Sequence, residues 1–292
     1  MICQLCPRCC AAVRDDTHGE GWCRLPDRPM AARAALHMWE EPCLSGTQGA
    51  GTVFFSGCTL GCVFCQNDPI SHGNFGKTMT EDELYAVFER LYEQGAHNIE
   101  LVTPTQYTHI LSRVLERPMP GGLPVVWNSG GYERPEVLRT LEGKVDIYLP
   151  DLKYVTPALA EKYSKAADYP EAAKAAILEM YRQRGPVRFE GDLLKSGVII
   201  RHLILPGQLA EARRVMDWVA ESFPAGSVLF SLMAQYTPMG DLTDYPELNR
   251  TIRASELRAA SEYMAALGLK GYVQELESVG KGFIPSFDLT GI

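Results

Sequence analysis

Cys58, Cys62 and Cys65 stand in a Cys-x3-Cys-x2-Cys run directly after the apolar stretch Thr52-Val53-Phe54-Phe55. Thiolates are soft ligands, and three at this spacing can take three corners of a cubic [4Fe–4S] cluster. No fourth cysteine follows nearby, although an electron-transfer ferredoxin would supply one. One iron is then left for a substrate or cofactor, which turns a carrier into a catalyst. Zinc fits the run less well, because structural zinc sites usually come as two close pairs separated by a longer loop.

A second group of thiols precedes this one. Cys3-x2-Cys6-x3-Cys10, closed by Gly21-Trp22-Cys23, gives four thiolates suited to a tetrahedral site. Zinc or a rubredoxin-type iron fits the set; an auxiliary Fe–S cluster or free, redox-active thiols are the alternatives. Cys9 could stand in for Cys10. The segment has too few apolar residues to fold by burial alone, so a metal would contribute its folding energy. Cys43 stands apart and reads as a small buried apolar residue. Nine cysteines, an odd number, in 292 residues do not suit a secreted disulfide framework.

The elements that must position these groups alternate in type. Strand-like runs at 52–56, 98–103, 123–128, 145–149, 198–205, 227–232 and 270–275 are mostly continuously apolar. Parallel strands covered on both faces have that character. Between them the pattern predicts helices at 80–94, 105–116, 135–141, 209–222 and 255–267. The first opens with the capping box Thr80-Glu81-Asp82-Glu83 and closes at Gly95. This β-α-β-α order predicts a parallel α/β sheet or barrel with right-handed crossovers. Residues 156–195 break the rhythm, and 169–184 read as an extra helix, either a longer cover or a lid over substrate or partner. Residues 1–46 show no periodic element. The expected division is a Cys-rich metal-binding module at 1–46 and a core at 47–292, with a helical insertion at about 156–195.

With 46% hydrophobic and 22% charged residues the composition is globular, which excludes collagen-like and disordered classes. A net charge of −8 disfavours nucleic acid and membrane surfaces as partners. No uncharged apolar run reaches the ~18 residues a membrane span needs. The first residues show neither a basic nor an apolar leader region, so the expected address is the cytoplasm. Gly46, Gly49 and Gly51 precede a strand instead of linking a strand to a helix, which rules out a dinucleotide fingerprint.

The run Cys58-x3-Cys62-x-Phe64-Cys65, placed straight after the first core strand, resembles the signature of the radical S-adenosylmethionine (SAM) enzymes. The wider chain resembles an uncharacterised branch related to the pyruvate formate-lyase activating enzyme. Segments that carry this likeness include Cys3-Gln4-Leu5-Cys6, Glu40-Glu41-Pro42-Cys43, Asp151-Leu152-Lys153, Arg201-His202 and Phe283-Ile284-Pro285. The resemblance implies a partial (β/α)6 TIM-like barrel, opened on one side. It also implies that SAM chelates the open iron and is cleaved by one electron, from a donor such as flavodoxin or ferredoxin. The 5′-deoxyadenosyl radical then abstracts hydrogen from substrate, while the barrel orients it and excludes water.

By the same resemblance SAM is held at strand C-termini, as barrel enzymes place their sites. Phe64 would pack on its adenine. Thr103, Pro104 and Thr105 occupy the place where relatives often carry a Gly-Gly-Glu-type motif, and no Glu stands there. Asn128 and Ser129, the strand-end pair Asp151 and Lys153, and Gln235 complete the expected contacts. Arg201 in mid-strand is a costly charge without a carboxylate partner, and the SAM carboxylate is a suitable one. His202 reads as a hydrogen-bonded core histidine. An open barrel admits a macromolecular segment. The expected function is therefore a radical SAM oxidoreductase acting on a protein or peptide. Activation of a glycyl-radical enzyme is one alternative, and a non-catalytic Fe–S redox sensor or scaffold is another.

Overall fold

The computed structural model describes residues 2–276 and 285–292; Phe283 and Ile284, quoted above, lie outside them. Ten strands form one sheet: β1 (Met30–His37), β2 (Ala50–Phe55), β3 (Lys77–Thr78), β4 (Ile99–Val102), β5 (Val125–Ser129), β6 (Ile147–Pro150), β7 (Arg188–Glu190), β8 (Leu193–Leu203), β9 (Leu229–Met233) and β10 (Gly271–Val273). Their order is β10-β9-β8-β6-β5-β4-β2-β1-β3, with β7 folded antiparallel onto β8. From β2 to β10 along this order all neighbours are parallel. Among the described residues β10 and β3 do not pair, so the barrel is partial, as expected. Strands β2, β4, β5, β6 and β9 are buried along their whole length, which is why their sequences run apolar without alternation.

Three strands carry no signal in the sequence. β1, Met-Ala-Ala-Arg-Ala-Ala-Leu-His, is rich in alanine, a poor strand former, and is held by antiparallel pairing with β2. β3 and β7 are too short to show a period. Residues 30–37, which show no element in the sequence, therefore belong to the main sheet. The expected helix at 105–116 begins as a 3-10 turn, Thr105–Tyr107, and continues as Thr108–Val114. The helix Tyr169–Arg184 buries Tyr169, Ala173, Ala176, Ile177 and Met180 and packs on β6 and β8. It covers the sheet and is no lid.

The turn Pro42–Ser45 closes the end of the barrel where the parallel strands begin. Its Cys43 and Leu44 are buried in an apolar cluster with Val126, Ile147, Leu149 and Ile199. Among the described residues no helix is long and apolar enough to cross a membrane.

Candidate functional site

β2 delivers the chain to Gly57, whose φ of +76° suits glycine; a Cβ there would lie 2.2 Å from Leu25 Cδ1. The loop that follows places Cys58, Cys62 and Cys65 on the wall of one cavity of about 710 Å³. The Leu60 amide donates to Cys58 Sγ (3.4 Å) and the Ser164 hydroxyl to Cys62 Sγ (3.1 Å). Cys65 Sγ donates to Ser71 Oγ (3.4 Å). Burial pushes the Cys62 thiol up to about 11 and Cys65 to about 12, so ligation must displace their protons. A cubic cluster holds its thiolates wider apart than a single ion does. Among the described residues no three Cys, His, Asp or Glu side chains form a single-ion shell. Three thiols on one cavity wall, two of them accepting hydrogen bonds at sulfur, suit the cluster.

The loop is gripped from the other side by Arg8. Its guanidinium donates to the carbonyls of Thr59 (2.9 Å) and Leu60 (2.9 Å) within the loop, and to those of Ser164 (3.1 Å) and Lys165 (2.8 Å) beyond it. It lies 3.6 Å over the Trp22 ring. Arg14, 2% exposed, donates to the carbonyls of Leu25 (3.2 Å), Pro26 (2.5 Å) and Gln106 (2.7 Å). No spacing in the sequence marks Arg8 for this part.

Phe64, Thr103, Asn128, Ser129, Asp151, Lys153, Arg201 and Gln235 all line the cavity of the cysteines. Pro104 and Thr105, expected on the same wall, do not. Thr103 adopts a left-handed φ of +58° that ends β4 and turns the chain into the 3-10 turn. Thr105 is buried there, donating to Glu133 Oε1 (3.0 Å). Phe64 meets Tyr163 and Tyr236 edge-on, with ring centroids 6.4 and 6.1 Å away.

Arg201 finds its partners within the protein. Nε donates to Asp151 Oδ1 (2.9 Å), Nη1 to Glu40 Oε2 (3.3 Å) and Nη2 to Asn128 Oδ1 (2.6 Å). Asn128 in turn donates to Glu100 Oε1 (2.6 Å), and Lys153 Nζ to Asp151 Oδ2 (2.6 Å). The Tyr169 hydroxyl accepts from the Lys153 amide (2.9 Å), fixing that strand end. Burial pulls Lys153 and Arg201 down, but Asp151 together with the other acidic groups around them outweighs it, and both stay above their ordinary range. Burial also works against the Asp151 charge, yet Arg201 and Lys153 hold its carboxyl below the usual range. Burial raises Glu40, Glu41 and Glu100. Glu100 was findable: it interrupts the apolar run of β4 as Arg201 interrupts β8. His202 is buried with Nδ1 2.8 Å from Leu152 O, in the core.

In the N-terminal segment Cys3 and Cys6 are buried, Cys23 is half-buried and Cys10 exposed. Burial pushes Cys6 up to about 12, and the neighbouring Cys3, Cys23 and Cys10 add to the rise. Among the described residues these four form no single-ion shell, and Cys9 turns its thiol to the Cys6 carbonyl (3.5 Å).

Residues 52–219 match the family model described as the Radical SAM superfamily. An uncharacterized protein of Methanocaldococcus jannaschii is 29% identical over 270 residues, 89% of this chain and 73% of the relative. Among solved structures, SuiB of Streptococcus suis bound to S-adenosylmethionine aligns with a TM-score of 0.50 at 12% identity, over 75% of this chain and 48% of that one. A radical SAM methyltransferase from Sphaerobacter thermophilus aligns with a TM-score of 0.49 at 16% identity, over 77% of this chain and 66% of its own. The chain spans 66% of the methyltransferase and 48% of SuiB, and the likeness to SuiB is one of fold.

Proposed function

The chain belongs to the radical SAM superfamily, enzymes that use a [4Fe–4S] cluster and SAM, and from that premise we propose that Cys58, Cys62 and Cys65 hold the cluster and the adjoining cavity holds SAM. The observation that carries this reading is that the three thiols share one cavity with Asn128, Asp151 and Lys153. Held by Cys58, Cys62 and Cys65, the cluster would supply one-electron reduction of SAM, with a donor such as flavodoxin or ferredoxin as the electron source, and thereby hydrogen abstraction from substrate. The protein's part is placement. Lys153, held charged by Asp151, offers the SAM carboxylate a cation at a fixed strand end. Phe64, pinned between Tyr163 and Tyr236, offers the adenine an apolar face. Arg201 is a positioning residue: it ties β5, β6 and the Glu40 loop into one wall.

The chain's own reaction is that of an oxidoreductase acting on a protein or peptide segment, which the open side of the barrel can admit. Activation of a glycyl-radical enzyme is a second reading, favoured by the strand-end pair Asp151 and Lys153. Among the described residues Cys3, Cys6, Cys10 and Cys23 form no single-ion shell as they stand, so a second metal there, whether zinc, a rubredoxin-type iron or an auxiliary cluster, would have to draw the four thiols together. Metal analysis of a Cys58→Ala/Cys62→Ala/Cys65→Ala protein isolates that second site.

The deciding experiment gives SAM to the anaerobically reconstituted, reduced protein and measures 5′-deoxyadenosine. Wild type is expected to form it and Cys58→Ala to form none. A protein carrying about four irons on the Cys58–Cys65 loop that neither binds nor cleaves SAM would overturn the reading in favour of a redox sensor.

A further inference from the structure

β1 runs antiparallel to β2 and ends with His37 opposite Ala50, the first residue of β2. Glu40 and Glu41 follow, just before the turn Pro42–Ser45 that closes this end of the barrel. They therefore enter the cavity from the side opposite the cysteine loop, and both line it. Among the described residues Arg201 and Lys153 are the Arg and Lys side chains on its wall. Arg201 is shared by Asp151, Asn128 and Glu40, and Lys153 is taken by Asp151. Glu41 is left over. It is 8% exposed, and its Oε2 has no hydrogen-bond partner among the described residues; the same is true of Oε2 of Glu100, just behind. A buried carboxylate oxygen without a partner is costly and calls for a donor. Burial raises the carboxyls of Glu40 and Glu41, and a cation against them would hold them ionised instead.

The neighbours of this acidic floor narrow the ligand. Trp39 and Tyr272 line the same cavity, and aromatic faces attract organic cations. No single-ion shell exists among the described residues, which disfavours a metal ion here. On the reading that SAM occupies the cysteine end, we propose that Glu40 and Glu41, flanked by Trp39 and Tyr272, form a subsite for a cationic group of the substrate, an alkylammonium or guanidinium. The substrate class is then a basic peptide side chain or a comparable amine, whose charge anchors it at the floor while its reacting carbon faces the cysteine end.

The test uses the reconstituted full chain with its cluster left oxidised, so that no turnover occurs, and saturated with SAM. Calorimetry compares Nα-acetyl-lysine methylamide with its neutral twin, acetylated at Nε. The cationic probe is expected to bind at least about tenfold more tightly, a difference of about 1.4 kcal/mol. That ratio is expected to fall towards one in Glu41→Gln and in Glu40→Gln, both checked for folding by circular dichroism and for iron content. Equal affinity for the twins, no measurable binding of the cationic probe, a ratio untouched by both substitutions, or displacement of the probe by SAM overturns the proposal. Absence of 5′-deoxyadenosine from the reduced protein, with the tenfold ratio intact, would instead overturn the SAM-cleavage reading alone.

Discussion

Cys58, Cys62 and Cys65 follow a strand buried over its full length, whereas Cys3, Cys6, Cys10 and Cys23 sit in a segment whose only strand pairing is isolated bridges. The first set is positioned by the sheet: β2 sits between β1 and β4, and its end cannot move without breaking both ladders. The second is positioned by side chains, chiefly Arg8 and Arg14 donating to backbone carbonyls. The difference teaches that equal ligands need not be equally preorganised. On the reading proposed above, one set would meet its metal on a rigid frame and the other would gain order from one.

Four experiments test that contrast, beginning with the largest effect. Cys58→Ala is expected to remove 5′-deoxyadenosine formation to the limit of detection while the melting temperature moves by less than about 3 °C. A collapse of the fold in this variant would break the comparison. Next, if the proposed second metal orders the N-terminal segment, Cys3→Ser/Cys6→Ser is expected to lower the melting temperature by roughly 5–10 °C. Calorimetry with and without a chelator checks this, and wild type should drop by a similar amount when chelated.

Arg8→Ala joins the two regions. Four hydrogen bonds and a stacked ring are lost, two of the bonds within the cysteine loop itself. SAM cleavage should fall by about 10- to 100-fold through misplacement, with iron content near that of wild type and a broadened electron paramagnetic resonance signal. Arg8→Lys should not restore it, because an ammonium cannot span carbonyls from two segments. The smallest effect belongs to a site remote from both sets. Arg250 holds both oxygens of Glu256 at 2.8 Å, and with the Arg253 and Gly207 amides pushes its carboxyl down to about 2. A lowered carboxylate contributes stability that is present above its unfolded value near 4.3 and is lost as pH falls towards 2. Glu256→Gln is expected to cost about 1–2 kcal/mol near pH 7 and nothing near pH 2, read by denaturant titration, with SAM cleavage unaltered.

Much of the frame was legible because burial on both faces writes itself as uninterrupted apolar runs, and each of the seven expected core strands appears. Caps were equally plain: Thr80 and Glu83 exchange the two bonds their spacing implied, at 3.1 and 2.8 Å. Alanine-rich β1 was hidden, since its place depends on pairing partners and not on its own preference. In the site, the cysteines and Lys153 were visible from motif and strand end. Arg201 was visible too, but its carboxylate partners are Asp151 (2.9 Å) and, from about sixty residues before β4, Glu40 (3.3 Å), where the sequence suggests a ligand. Long-range pairing of that kind leaves no local pattern. Glu40 and Glu41 stood within a quoted segment and still had no role until the turn at Pro42 brought them under the cavity.

That turn also governs traffic. With Cys43 and Leu44 packed against Val126, Ile147 and Ile199, the end where the strands begin is stoppered. A vessel stoppered at its floor imposes a queue: whatever lies deepest enters first and leaves last, and a bulky reactant above it detains everything beneath.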